Sequence, residues 1–80
     1  MEIRYTLHAR DQMQERRITE THVGEALANP EETFTGISIT GAWVYHKRVG
    51  RRRIYVLVEP YSDPMVVISV RPWKPIMRTP

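Results

Sequence analysis

Eighty residues are too few for two independent cores, so the chain is read as one domain, 1–80, burying only about 60% of its unfolded surface. The absence of cysteine excludes disulfides and thiolate metal sites, and no apolar run nears the roughly 20 residues needed to cross a bilayer. The formal net charge of +3 is segregated: residues 1–34 carry 4 Arg and 7 acidic groups, whereas residues 35–80 carry 8 Lys or Arg and only 2 acidic groups.

These bounds set the first expectations. Without cross-links, stability must come from packing or from association with a partner. Met1 to Leu7 shows no basic region leading into a hydrophobic stretch, so no targeting signal is read and a cytoplasmic location is expected. A cationic C-terminal half suits a polyanion or an acidic protein, and equally a solvated surface that keeps the domain soluble.

Residues 1–30 are expected to be helical. Thr6 caps a first helix from Leu7 to about Arg17, built from good helix formers, with Ala9 and Met13 about 40° apart at the centre of a narrow buried face. Thr19 caps a second helix that runs to about Asn29. Ile18 and Val23 supply its hydrophobic staple, Val23, Ala26 and Leu27 its apolar stripe, and Asn29-Pro30 its stop.

From Glu31 to Gly41, the Thr, Ser and Gly residues around Phe34, Ile37 and Ile39 fit a short strand or an ordered loop. Three strands follow, Ala42–Val49, Arg52–Glu59 and Met65–Arg71, rich in β-branched and aromatic residues and separated by turn residues. The fold class expected is α+β, with two N-terminal helices packed on one face of a three- to four-stranded antiparallel meander over residues 31–71. Residues 72–80 form an extended tail whose Trp73 packs back on the domain.

Gly50 at the first position of a two-residue loop predicts a type II′ hairpin that pairs Val49 with Arg52, Tyr45 with Val56 and Trp43 with Val58. That register places Trp43, Tyr45, Val49, Ile54, Val56 and Val58 toward the helices, joined by Val66, Ile68 and Val70. The opposite face then holds Val44, His46, Arg48, Arg53, Tyr55, Leu57, Met65, Val67, Ser69 and Arg71.

Two constellations are candidates for chemistry. His8, Gln12 and Arg16 recur every four residues and form one stripe on the first helix, close to Glu15. A proton-transferring imidazole beside an anion-holding guanidinium is one reading; a helix-flank His with Arg16 in an exposed ion pair is the other. On the sheet, His46, Arg48, Arg53, Tyr55 and Arg71 suit RNA binding, the Arg side chains holding phosphates and Tyr55 stacking an unpaired base. Arg51, Arg52 and Arg53 equally suit a charge cluster that blocks edge-to-edge sheet association. His8, His22 and His46 lack a close pair at metal-ligand spacing, and no Gly-rich phosphate loop is present, so no metal and no cofactor are expected.

The stretch HARDQMQERRI from His8 to Ile18, then TETHVGEALANPEET and the strand MVVISV, resembles domain-of-unknown-function family 4258 over most of the chain. The family's N-terminal pattern is met by His8, Ala9, Met13, Arg16 and Ile18. The family has been grouped by remote similarity with the barnase, EndoU, colicin and RelE-like ribonuclease fold, which implies a toxin-like ribonuclease that works without metal. The resemblance carries His8 and Arg16 over as functional positions and matches Ser69 to a small hydroxyl residue of the final strand. Gln12 departs from the Arg frequent there, which removes one cation from the stripe.

The function expected is a metal-independent endoribonuclease of toxin–antitoxin type, with His8, Arg16 and Ser69 as catalytic residues. Its partners would be RNA, with or without the ribosome, and an acidic antitoxin. The alternative is a noncatalytic module that binds RNA or an acidic protein through the basic sheet.

Overall fold

The computed structural model describes residues 2–34 and 41–72. Expectations for Ile37, Ile39 and Trp73 lie outside the described residues. In chain order the elements are β1 (Ile3–Tyr5), α1 (Leu7–Arg16), α2 (Glu20–Ala28), β2 (Glu32–Phe34), β3 (Trp43–Val49), β4 (Arg52–Val58) and β5 (Met65–Pro72). The strands form one sheet in the order β1-β5-β4-β3-β2.

The α+β class and the two helices match expectation, but the sheet is five-stranded and mixed, not a three- to four-stranded antiparallel meander. The parallel strand is β1, whose Ile3, Arg4 and Tyr5 align with Met65, Val66 and Val67. Three residues are too short a run for alternation to announce a strand. β2 resolves part of the open strand-or-loop choice: Glu32, Thr33 and Phe34 pair antiparallel with His46, Tyr45 and Val44.

Local chemistry explains both helix starts. The Thr6 hydroxyl oxygen accepts from the Ala9 amide at 3.1 Å, and Thr19 accepts from the His22 amide at the same distance. His22 returns the contact, its Nδ1 accepting from the Thr19 amide at 3.2 Å, so an imidazole takes the place of the usual Glu or Gln in a capping box. α1 ends where Arg17 turns left-handed at φ 57°.

The β3–β4 hairpin has the predicted register, including Val49 with Arg52, Tyr45 with Val56 and Trp43 with Val58. Gly50 adopts φ +63° and Arg51 is not among the positive-φ residues, as a type II′ turn requires. Strand β5 departs from expectation. Leu57 aligns with Ser69 but Val58 aligns with Val67, so Ile68 is an extra residue in a bulge. The bulge inverts the alternation below it, and Met65 and Val67, expected on the open face, pack with the helices while Val66 is displaced from them.

The core joins Ala9 and Met13 of α1, Ile18, and Val23, Ala26 and Leu27 of α2 to Ile54, Val56, Val58, Val67 and Val70 of the sheet. Trp43 is half-buried and meets Tyr61 edge-on, with ring centroids 4.8 Å apart. Tyr5 links the helical layer through charge: the Arg10 guanidinium lies 5.0 Å from its ring centroid and pairs with Glu20 at 3.3 Å. Among the described residues no helix is long and apolar enough to cross a membrane.

Arg52 reaches back from the sheet to donate from Nη1 to the Arg16 carbonyl and from Nη2 to the Arg17 carbonyl, the latter at 2.8 Å. It therefore satisfies orphan acceptors at the negative end of α1. Arg52→Ala is expected to lower unfolding free energy by about 1–2 kcal/mol, whereas Arg51→Ala in the exposed turn changes it by less than about 0.5 kcal/mol, both measured by urea denaturation.

Burial, then the nearby Glu20 carboxylate, raise the Tyr5 phenol above its usual 10.0, with Arg10 pulling the other way. A raised folded-state value means that the neutral phenol favours folding. That contribution is complete below about pH 10 and is lost as pH rises through the higher folded value. Wild type is therefore expected to lose stability in that alkaline window more steeply than Tyr5→Phe, as followed by denaturation across pH.

Candidate functional site

Both helices pack on one face of the sheet, which leaves the other face free of helices. Its side chains follow from the observed pairings. Arg48 stands opposite Arg53; His46 stands opposite Tyr55, which stands opposite Arg71; Val44 stands opposite Leu57, which stands opposite Ser69. Strand β2 extends these rows, with Glu32 beside His46 and Phe34 beside Val44. The structure thus brings together all the sheet residues expected to bind RNA, namely His46, Arg48, Arg53, Tyr55 and Arg71.

The face has a dry centre and a charged rim. His46, Leu57 and Ser69 are buried at 4%, 7% and 3% exposure, while Glu32, Phe34, Arg48, Arg53 and Arg71 are exposed. The His46 ring lies 5.0 Å from that of Tyr55, tilted by 49°. Its Nδ1 is 3.3 Å from a Glu32 carboxylate oxygen, and among the described residues neither buried ring nitrogen has a hydrogen-bond partner. Glu32 was not singled out from sequence because nothing there fixed its segment as a strand.

The basic triplet divides into three roles. Arg51 occupies the hairpin turn, Arg52 holds α1, and Arg53 joins the open face. Arg48 and Arg53 stand directly opposite each other on neighbouring strands, and the Glu31 carboxylate accepts from the Arg48 amide at 3.3 Å beside them.

The α1 stripe meets this face at the border formed by β5. Gln12 is buried, and its side-chain oxygen accepts from the Ser69 hydroxyl at 2.7 Å and from the Val70 amide at 2.8 Å. Ser69 in turn accepts from Arg71 Nε at 3.2 Å. His8 and Arg16 lie one helical turn to either side of Gln12, about 5–6 Å away between Cβ atoms. His8 is exposed, and no hydrogen bond among the described residues orients it. Arg16 is half-buried: its Nη1 lies 3.9 Å from a Glu15 carboxylate oxygen and has no hydrogen-bond partner among the described residues.

Ser69 joins the two constellations, its hydroxyl donating to Gln12 and accepting from Arg71. A shallow depression lined by Asp11, Gln14 and Glu15 on α1 carries the opposite sign from the sheet face. Among the described residues no three His, Cys, Asp or Glu side chains cluster at metal-binding distance.

The class defined by this geometry is a small α+β domain with two helices on one face of a mixed sheet and a cationic, aromatic surface on the other. The chain matches the family described as Domain of unknown function (DUF4258) over residues 5–71 and belongs to that family. No curated protein and no solved structure matches it.

Gln12→Leu is a direct test of the α1–β5 junction. It would leave the Val70 amide and Ser69 hydroxyl without their buried acceptor, so a loss of about 2–4 kcal/mol in urea unfolding is expected.

Proposed function

We propose that this domain acts on RNA as a metal-independent endoribonuclease of toxin–antitoxin type. The observation that carries the reading is the convergence on one sheet face of Arg48, Arg53 and Arg71 around Tyr55, with the His8–Arg16 stripe held at its border by Gln12. Guanidiniums suit phosphodiesters, and a half-buried aromatic ring suits an unpaired base. The resemblance to the ribonuclease toxin fold drawn from the sequence motifs favours the same reading.

In this mechanism His8 removes the proton from a ribose 2′-hydroxyl, and the freed oxygen attacks the adjacent phosphorus. The bond to the 5′-oxygen breaks, a cyclic phosphate forms, and the leaving oxygen takes up a proton. Arg16 and Arg71 stabilise the additional negative charge on the phosphoryl oxygens, Arg48 and Arg53 hold the flanking backbone, and Tyr55 stacks a base. An acidic antitoxin would complement the same cationic rim, and a ribosome would supply RNA in a fixed geometry.

A second reading, a noncatalytic module that binds RNA or an acidic protein through this face, is favoured by one observation. His8 has no hydrogen-bonded orienting group among the described residues, whereas proton-transfer residues are normally held in position.

Labelled single-stranded RNA should bind with an affinity that falls steeply with salt, and Arg53→Ala should weaken it. In chelator, His8→Ala should cut RNA cleavage by roughly 10²-fold or more while circular dichroism and RNA affinity stay unchanged. Equal cleavage by wild type and variant would remove His8 from the mechanism. Binding without cleavage, even with ribosomes supplied, would establish the noncatalytic module, and no binding at low salt would overturn both RNA readings.

A further inference from the structure

We propose that Arg71 anchors a phosphate subsite at the β5 border of the open face, and that the buried Gln12 and Ser69 are its positioning residues. The proposal rests on the RNA reading only for the source of the phosphate, which there is the nucleic-acid backbone.

The hydrogen-bond directions carry the inference. A serine hydroxyl has one proton, and Ser69 donates it to Gln12 Oε1 at 2.7 Å. Its lone pairs are thereby aimed elsewhere, and the donor they meet is Arg71 Nε at 3.2 Å. Gln12 cannot rotate away, because the same oxygen also accepts the Val70 amide at 2.8 Å. The Arg71 side chain is therefore held at Nε by a chain of bonds that ends on the backbone of its own strand.

What this leaves available is the other end of the guanidinium. Arg71 is exposed, and among the described residues no carboxylate lies within ion-pair distance of it. Among the described residues its Nη groups meet no acceptor, which leaves four N–H donors, a geometry suited to two phosphoryl oxygens at once. Tyr55 is its cross-strand neighbour, so a phosphate at Arg71 would set an adjoining base toward that ring.

Two features separate positioning from a purely structural role. The Val70–Gln12 bond alone satisfies the backbone, so Ser69 is not needed for that purpose. The Ser69–Arg71 bond orients an exposed cation whose ordering costs side-chain entropy and gives little stability on its own. Fixing the side chain before contact removes that entropic cost from binding, which is where such an arrangement has its effect.

The test is a double-mutant cycle with Ser69→Ala and Arg71→Ala, read by affinity for short labelled RNA and by the Arg71 Nε–H resonance, assigned with Arg71→Lys. Ser69→Ala should weaken RNA binding by roughly three- to tenfold and speed solvent exchange of the Nε–H, and Ser69→Thr should restore both. In an Arg71→Ala background, Ser69→Ala should have no further effect on affinity. Additive effects, or a Ser69→Ala protein with wild-type affinity and Nε–H exchange, would overturn the positioning role. Inorganic phosphate separates this proposal from the RNA reading. If wild type binds no RNA but phosphate shifts the Arg71 resonance in a Ser69-dependent way, the RNA reading fails and the subsite stands; no response to either ligand overturns the subsite.

Discussion

The acceptor oxygen of Gln12 is the point on which the helical layer and the sheet face both depend. β5 runs for 8 residues but its parallel partner β1 for only 3, so the edge beyond Val67 lacks a strand. Helix α1 supplies the missing partners. Thr6 donates from its amide to the Val67 carbonyl and from its hydroxyl to the Ile68 carbonyl, each at 3.0 Å, while Gln12 accepts from Val70. A buried edge with unmet donors and acceptors would be costly, and one helix turn removes that cost. The same contacts fix the rotation of α1, which directs Ala9 and Met13 into the core and leaves His8 exposed.

The two sheet faces resolve competing demands in a short chain. One face must bury enough apolar surface to fold, which the run Ile54, Val56, Val58, Val67 and Val70 does against the helices. The other carries polar groups in its rows: His46, buried and without a hydrogen-bond partner among the described residues, and Arg48 opposite Arg53. Neither feature contributes to the packing that holds the helices, so the two faces divide folding from surface chemistry.

Much of this architecture was legible because it is encoded locally. Thr6 and Thr19 announce the helix starts, and Gly50 sets the hairpin register, so alternation alone assigns the residues of β3 and β4 to faces. What was illegible depends on distant partners. The bulge at Ile68 forms where Thr6 binds the strand, 62 residues away along the chain, and a one-residue insertion flips Met65, Val66 and Val67 without changing the apolar pattern. Gln12 likewise reads as one member of a helix-flank stripe with His8 and Arg16, since its partner Ser69 is 57 residues distant. The RNA-binding residues were found together because strand alternation alone groups them; Glu32 was missed because its strand could not be distinguished from a loop.

The arrangement of the open face also bears on the strength of any charge interaction made there. Were its centre as solvated as its rim, each arginine would act as a separate surface cation worth little at physiological salt. Instead His46, Leu57 and Ser69 are buried while Arg48, Arg53 and Arg71 in the neighbouring rows are exposed. A low-dielectric centre reduces the screening of charges at its edge. The bulge contributes to this geometry. By adding one residue between Val67 and Ser69 it turns the later part of β5 so that Ser69 and Arg71 point to this face while Val67 and Val70 both remain in the core. Without that extra residue, strict alternation would place Val67, Ser69 and Arg71 on one face, costing the domain either a core valine or the Ser69–Arg71 pair.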